Sequence, residues 1–231
     1  MPPASDVFID ATETDPTIQA QRTLREGQDK LLAELAAQET AAVADYSTGT
    51  LRRHLSATDD VLYAAASGAA ETRLLVRALR AGLSTVEKRI DALAAAGDAA
   101  ATETAAKELT AVLESHLAVE REVFLPALAA LPGADLPILI KDLQTVLSGG
   151  KIEAPEVVDV RLIPHGQRHP RIFARYAQLA PGEFFTLVNN HDPKPLRREF
   201  QATYPDAFTW DYVESGPELW AIHIGRKAAD G

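Results

Sequence analysis

The chain has 231 residues, with 23 Lys and Arg against 33 Asp and Glu, a formal net charge of −10 and no cysteine. That composition suits a globular protein able to bury one large or two small cores. The missing cysteines exclude disulfides, thiolate metal sites, iron–sulfur clusters and a catalytic thiol, while the acidic balance argues against nucleic acid, whose phosphates need Lys and Arg.

Charge and aromatic content divide the chain. Residues 1–150 hold 13 Lys and Arg against 22 Asp and Glu, and ten of the fourteen aromatic residues come later, so two domains fit better than one. The start, Met-Pro-Pro-Ala-Ser-Asp, lacks the basic and apolar runs of a secretory leader, and no stretch reaches the roughly 20 apolar residues of a membrane span. A cytoplasmic protein without a membrane partner is the expectation.

Residues 1–14 are polar and contain proline, and read as a disordered tail. A first helix starts near Thr17 behind Asp15-Pro16, with Leu24, Leu31, Leu32 and Leu35 at helical spacing. A second is expected from Thr48 to Ser67, ended by Gly68, and a third from Glu71 to Ala95. The fourth, Thr102 to Leu131, carries His116 and Glu120 as i,i+4 neighbours on an inward face continued by Phe124, Ala127 and Leu128. The order around His54, with Asp60-Val61-Leu62 after it, is repeated sixty-two residues later around His116, with Glu122-Val123-Phe124. This suggests a doubled helical hairpin. A fifth short helix spans Pro137 to Leu147. Residues 15–149 therefore read as an antiparallel helical bundle, a fold that builds cofactor sites from facing helices.

After Gly149-Gly150 and a linker over 150–156 the period changes. Val158, Val160 and Leu162 alternate with polar residues as in a half-buried strand. Pro170 to Leu179 reads as a helix, Phe184 to Asn189 as a strand and Pro195 to Thr203 as a helix. Phe208 to Val213 and Leu219 to Ile224 form a hairpin turned at Ser215-Gly216-Pro217. The order β-α-β-α-β-β over residues 157–228 predicts a small two-layer α+β domain with both helices on one face of the sheet.

Residues 17–130 resemble the hemerythrin-like (HHE) family, a four-helix bundle with a di-iron site of His, Glu and Asp ligands. The resemblance rests on His116-x-x-x-Glu120, followed by Phe124-Leu125-Pro126, and on the weaker echo at His54. It implies an inward His on the first and third bundle helices, but those positions read Gln28 and Leu83, and Thr58 replaces the carboxylate matching Glu120. The set that survives is His54, His116 and Glu120, which implies one Fe(II) or Zn(II) ion. The alternative is a group of polar core residues hydrogen-bonded to one another or to Gln28.

Residues 157–228 resemble a second family, the domain of unknown function 2249. This likeness rests on Asp159-Val160-Arg161, His169-Pro170-x-Ile172-Phe173, Asn190-His191-Asp192-Pro193-Lys194-Pro195-Leu196 and Gly216-Pro217-Glu218-Leu219-Trp220. The element order is also similar to the TusA-type sulfur-carrier fold, but His169-Pro170 stands where that fold has its Cys-Pro, so sulfur carriage by that thiol is excluded. His169 at a helix N-terminus and His191 after the second strand are expected on one sheet edge. There they form a candidate metal or haem site, with Arg168, Arg171 and Lys194 to hold a small anion or a propionate. His165 is a further candidate, while His191 alternatively caps the Asp192-Pro193 turn.

Three functions follow from this reading. The first is a metal- or haem-binding protein whose bundle site is degenerate, with nitric oxide, oxygen or redox handling implied by the family resemblance alone. The second is a redox enzyme with a mononuclear iron centre at His54, His116 and Glu120. The third is a non-catalytic scaffold that binds a protein partner or a second copy of itself.

Overall fold

The computed structural model describes residues 15–150, 152 and 156–228. The expected tail, 1–14, and most of the expected linker lie outside these residues. Among the described residues no helix is long and apolar enough to cross a membrane.

Four long helices make the bundle: α1 (Pro16–Ala36), α2 (43–67), α3 (Ala70–Ala94) and α4 (99–129), followed by the shorter α5 (Leu136–Leu147). Asp15 and Asp98 start α1 and α4 by accepting backbone N–H bonds from Thr17 and Ala101. Helix α2 begins at Val43 rather than Thr48. The Ser47 and Thr48 hydroxyls bond back to the carbonyls of Val43 and Ala44, so their polarity is absorbed inside the helix instead of capping it. Two helices change pitch along their length, with π-turns at Ser47–Leu51 and Asp59–Tyr63 in α2 and at Glu120–Phe124 in α4.

The bundle interior is layered. Leu31, Leu35, Leu51, Leu55, Val86, Ile90, Leu109 and Leu113 build one apolar cluster. Leu24, Val61, Leu62, Val76, Leu79, Phe124, Leu125 and Leu128 build a second. Around the points where one cluster gives way to the other along the chain lie the buried polar residues Gln28 on α1, His54 and Thr58 on α2, and His116 and Glu120 on α4.

The C-terminal domain has a four-stranded sheet in the order β1-β2-β4-β3. β1 (Val157–Asp159) runs parallel to β2 (Phe184–Asn189), which pairs antiparallel with β4 (Trp220–Arg226), and β4 pairs with β3 (Phe208–Ser215). Helices α6 (Arg168–Ala177) and α7 (Lys194–Thr203) share one face, where Ile172, Phe173, Tyr176, Leu196 and Phe200 pack on Phe185, Leu187, Trp210, Ile222 and Ile224. β1 is shorter than its alternation suggests. The Asp159 carboxylate accepts from the Arg161 backbone and from its guanidinium at 2.7–3.0 Å, bending Val160–Leu162 into a 3₁₀ turn and leaving Leu162 84 % exposed.

The two domains pack on each other through the end of α2. Residues 61–68 are all buried, which one bundle face cannot achieve for an amphipathic helix; α6 covers the other side. Close approach needs small residues here: the helix end 64–68 is Ala-Ala-Ala-Ser-Gly, and a Cβ on Gly68 would meet Phe173 Cδ2 at 2.7 Å and the His169 carbonyl oxygen at 3.0 Å. Arg73 reaches Glu199 at 3.4 Å, and the Arg80 guanidinium lies 5.6 Å over the Tyr204 ring while pairing with Asp59 at 2.7 Å. Because backbone as well as ring atoms would be displaced, Gly68→Ala is expected to cost about 1–3 kcal/mol. Urea unfolding of the variant beside the parent checks this, and an unchanged midpoint would refute it.

Candidate functional site

The polar layer is assembled by three helices around Glu120, which is 3 % exposed. Burying a carboxylate costs several kcal/mol unless donors surround it. The Gln28 amide donates to Oε2 at 2.6 Å, and the Tyr63 hydroxyl donates to Oε1. Tyr63 Oη also lies 3.1 Å from His116 Nε2. Since the phenol has a single proton and gives it to Glu120, Nε2–H donates and Tyr63 accepts. His116 Nε2 stands 3.4 Å from Glu120 Oε1.

The network continues outward through the next residue of α4. Arg121 Nε donates to Gln28 Oε1 at 2.7 Å, orienting that amide so that its NH₂ faces Glu120, and the same guanidinium pairs with Asp29 at 2.7 Å. Arg25 in turn donates to the Arg121 carbonyl at 3.1 Å. A chain of donors thus runs from the surface cation to the buried carboxylate, the arrangement in which hydrogen bonds polarise one another.

Burial pushes the Tyr63 phenol well above its ordinary range, and the Glu120 charge and hydrogen bond push it further the same way. Burial lowers His54, against the opposing pull of Glu120. His54 Nε2 is buried with no hydrogen-bond partner. His116 has its place because α3 carries Gly82, where a Cβ would stand 2.9 Å from Nδ1.

Among the described residues no three His, Asp or Glu side chains come together as a metal-holding group, so His54 does not join His116 and Glu120 in the ready-made set expected from sequence. Gln28 does meet Glu120, as one sequence alternative held. Leu83 packs with both apolar clusters and offers no donor. Tyr63, Gly82 and Arg121 were absent from the sequence-based site.

In the C-terminal domain the two candidate histidines have different partners. His169, second residue of α6, places Nδ1 2.8 Å from Glu199 Oε2 on α7, and Glu199 also faces Arg73 of the bundle. His191 is exposed and lies 2.8 Å from the Asn190 side-chain oxygen. Each expected anion-holding cation is also engaged: Arg168 donates to the Ile163 carbonyl at 2.9 Å, Arg171 to Gln167 at 3.4 Å, and Lys194 pairs with Asp192 at 3.4 Å. Tyr212 donates to Asp192 at 2.9 Å, fixing that turn from β3. His165 is exposed in the preceding loop. This edge holds the domain interface together through His169–Glu199–Arg73.

Comparison with known families agrees with this division. Residues 18–128 match the family described as Hemerythrin HHE cation binding domain, and residues 157–226 match Uncharacterized conserved protein (DUF2249). The chain is a hemerythrin HHE domain followed by a DUF2249 domain. No curated protein and no solved structure matches it. The HHE description makes a bound cation the relevant test of the polar layer. A di-iron centre does not fit, because Gln28 and Leu83 stand where the family resemblance implies two of its ligands. Toward a single ion the layer offers two converging donors, His116 and Glu120, and His54 Nε2 is buried without a hydrogen-bond partner.

Two outcomes are expected. Gly82→Ala pushes a methyl against the His116 ring and is expected to destabilise by about 1–3 kcal/mol, measured by thermal or urea unfolding; Gly27→Ala, inside α1 with open space around it, is the control that gains helix propensity without a clash. At the interface, burial pushes Glu199 up, but His169 and Arg73 more than offset this and leave it below its usual value. A carboxyl lowered in the folded state adds stability above its unfolded pKa, and that contribution disappears as pH falls through the folded value. The acid limb of the stability–pH profile is therefore expected to flatten in Glu199→Gln, and an unaltered limb would show that this pair is not coupled to folding.

Proposed function

We propose that this protein is a mononuclear variant of the hemerythrin HHE type, which binds one transition-metal ion in its bundle core through His116 and Glu120. The observation that carries the reading is the convergence of an imidazole and a carboxylate from one helical turn, 3.4 Å apart, in a polar layer between two apolar clusters. His54, buried with Nε2 unpartnered, supports the same site. A histidine left without a hydrogen bond in a core costs about 1–3 kcal/mol, and a cation removes that penalty.

The protein's own groups have separable roles. His116 offers Nε2 once its ring proton resides on Nδ1, on the side kept open by Gly82. Glu120 supplies anionic charge, and Gln28, held by Arg121, orients that carboxylate from behind. The apolar residues on either side, Leu117 and Phe124 among them, exclude water. An ion bound there supplies Lewis acidity and, if it is iron, a redox couple suited to diatomic gases.

A scaffold reading has one observation in its favour: both Glu120 oxygens are hydrogen-bonded by protein alone, so the layer is self-sufficient. Metal analysis separates the two. Protein purified without oxygen, then offered ferrous iron or zinc and desalted, is expected to retain about one ion per chain, as a single set of ligands dictates, and His116→Ala or Glu120→Ala is expected to lose it. Retention below a tenth of an ion per chain in the parent under every condition would favour the scaffold.

A further inference from the structure

We infer that Tyr63 is a metal ligand, which together with His116 and Glu120 makes a phenolate–imidazole–carboxylate set selective for ferric iron over zinc and ferrous iron. This rests on the mononuclear reading above and goes beyond it in naming a ligand outside the His and carboxylate set and an oxidation state. The starting point is geometric. Tyr63 Oη is 3.1 Å from His116 Nε2, His116 Nε2 is 3.4 Å from Glu120 Oε1, and Tyr63 Oη is hydrogen-bonded to that same oxygen. Atoms bound to one ion at roughly 2.0–2.2 Å lie about 3 Å from one another. The two separations from His116 Nε2 already have the spacing of a coordination shell, and Tyr63 Oη and Glu120 Oε1, now in direct hydrogen-bonded contact, would move apart as an ion takes the place of the proton between them.

The π-turn Asp59–Tyr63 gives this phenol its position, and the π-turn Glu120–Phe124 begins at the carboxylate. Single π-turns inside α-helices occur often at functional sites. Here one on each helix feeds the same three-atom cluster. The Tyr63 ring is fixed by an edge-on contact with Phe124, centroids 5.1 Å apart, and is 1 % exposed. Such a residue directs its hydroxyl without a loss of side-chain freedom on binding.

Charge decides which ion fits. A phenolate and a carboxylate together bring two negative charges into a core that water does not enter, which a trivalent hard cation compensates better than a divalent one. Coordination is a substitution without electron transfer: ferric ion replaces the Tyr63 hydroxyl proton, which leaves to solvent, and the iron–oxygen bond forms as the O–H bond breaks. At His116 the proton exchanges from Nε2 to Nδ1, freeing the Nε2 lone pair. Iron enters and stays ferric, so no oxidant or reductant is required. Without the ion, a phenolate beside Glu120 would be a second buried negative charge, and Tyr63 remains a phenol.

The test uses the full chain loaded with ferric citrate and, separately, with zinc. Ferric protein is expected to show a visible phenolate-to-iron charge-transfer band and tyrosinate modes in its resonance Raman spectrum. Tyr63→Phe, which keeps the ring against Phe124, is expected to lose both and to hold ferric iron about tenfold or more weakly, with zinc binding changed less. Iron that binds and is lost in Glu120→Ala, yet shows no such band, would overturn the assignment of Tyr63 while leaving the mononuclear site standing. Undiminished ferric affinity in Tyr63→Phe would do the same. If neither metal binds the parent, both readings fall. Should Tyr63→Phe fail to fold, the Raman spectrum of the parent alone decides, because tyrosinate modes are either enhanced by the iron or absent.

Discussion

A carboxylate at the centre of a helical bundle has to be answered from every side, and Glu120 imposes that requirement on three helices at once. Gln28 answers from α1 and Tyr63 from α2, while α3 answers by absence, its Gly82 making room for His116. The apolar clusters on either side tolerate variation in shape as long as volume is kept. The polar layer does not, because a donor removed from it leaves a buried acceptor unpaired. The register of the bundle is therefore fixed more by one acid than by its many leucines.

Beyond the layer, the strongest constraint is the shared surface of α2 and α6. A helix whose last seven residues are small, aliphatic or aromatic on every side cannot end in solvent, and the C-terminal domain is what covers it. The polar contacts that frame this contact, Arg73 with Glu199 and Arg80 with Asp59 and Tyr204, are half-exposed. Ion pairs of that kind add orientation more than strength. The packing of the small-residue end of α2 against α6, closest where Gly68 meets Phe173, supplies the greater part of the attachment.

Much of this was legible in the amino-acid order. Periodicity placed the four long helices and the strand Phe184 to Asn189, and the His116–Glu120 spacing marked the inward face of α4. Tyr63 was hidden by the same rule that found the others. In a regular helix it lies nine residues after His54, about 180° away, whereas the extra residue of a π-turn brings it round to about 80°. Nothing in a 3.6-residue pattern announces that insertion. The shortening of β1 was equally opaque, since it follows from a local Asp159–Arg161 contact rather than from alternation. The engagement of His169 depends on Glu199 and Arg73, one on the next helix and one on the other domain. Spacing within a single segment could not supply them.

Residues 61–68 are buried between the bundle and α6 of the C-terminal domain, although the HHE match runs on past them to 128 and the DUF2249 match starts only at 157. Family limits and cooperative limits thus divide the chain differently. Separating the halves between 128 and 157 would leave the bundle with an uncovered apolar helix end and the small domain with one bare helix. The two modules meet along a seam at the end of α2, well inside the span of the first match.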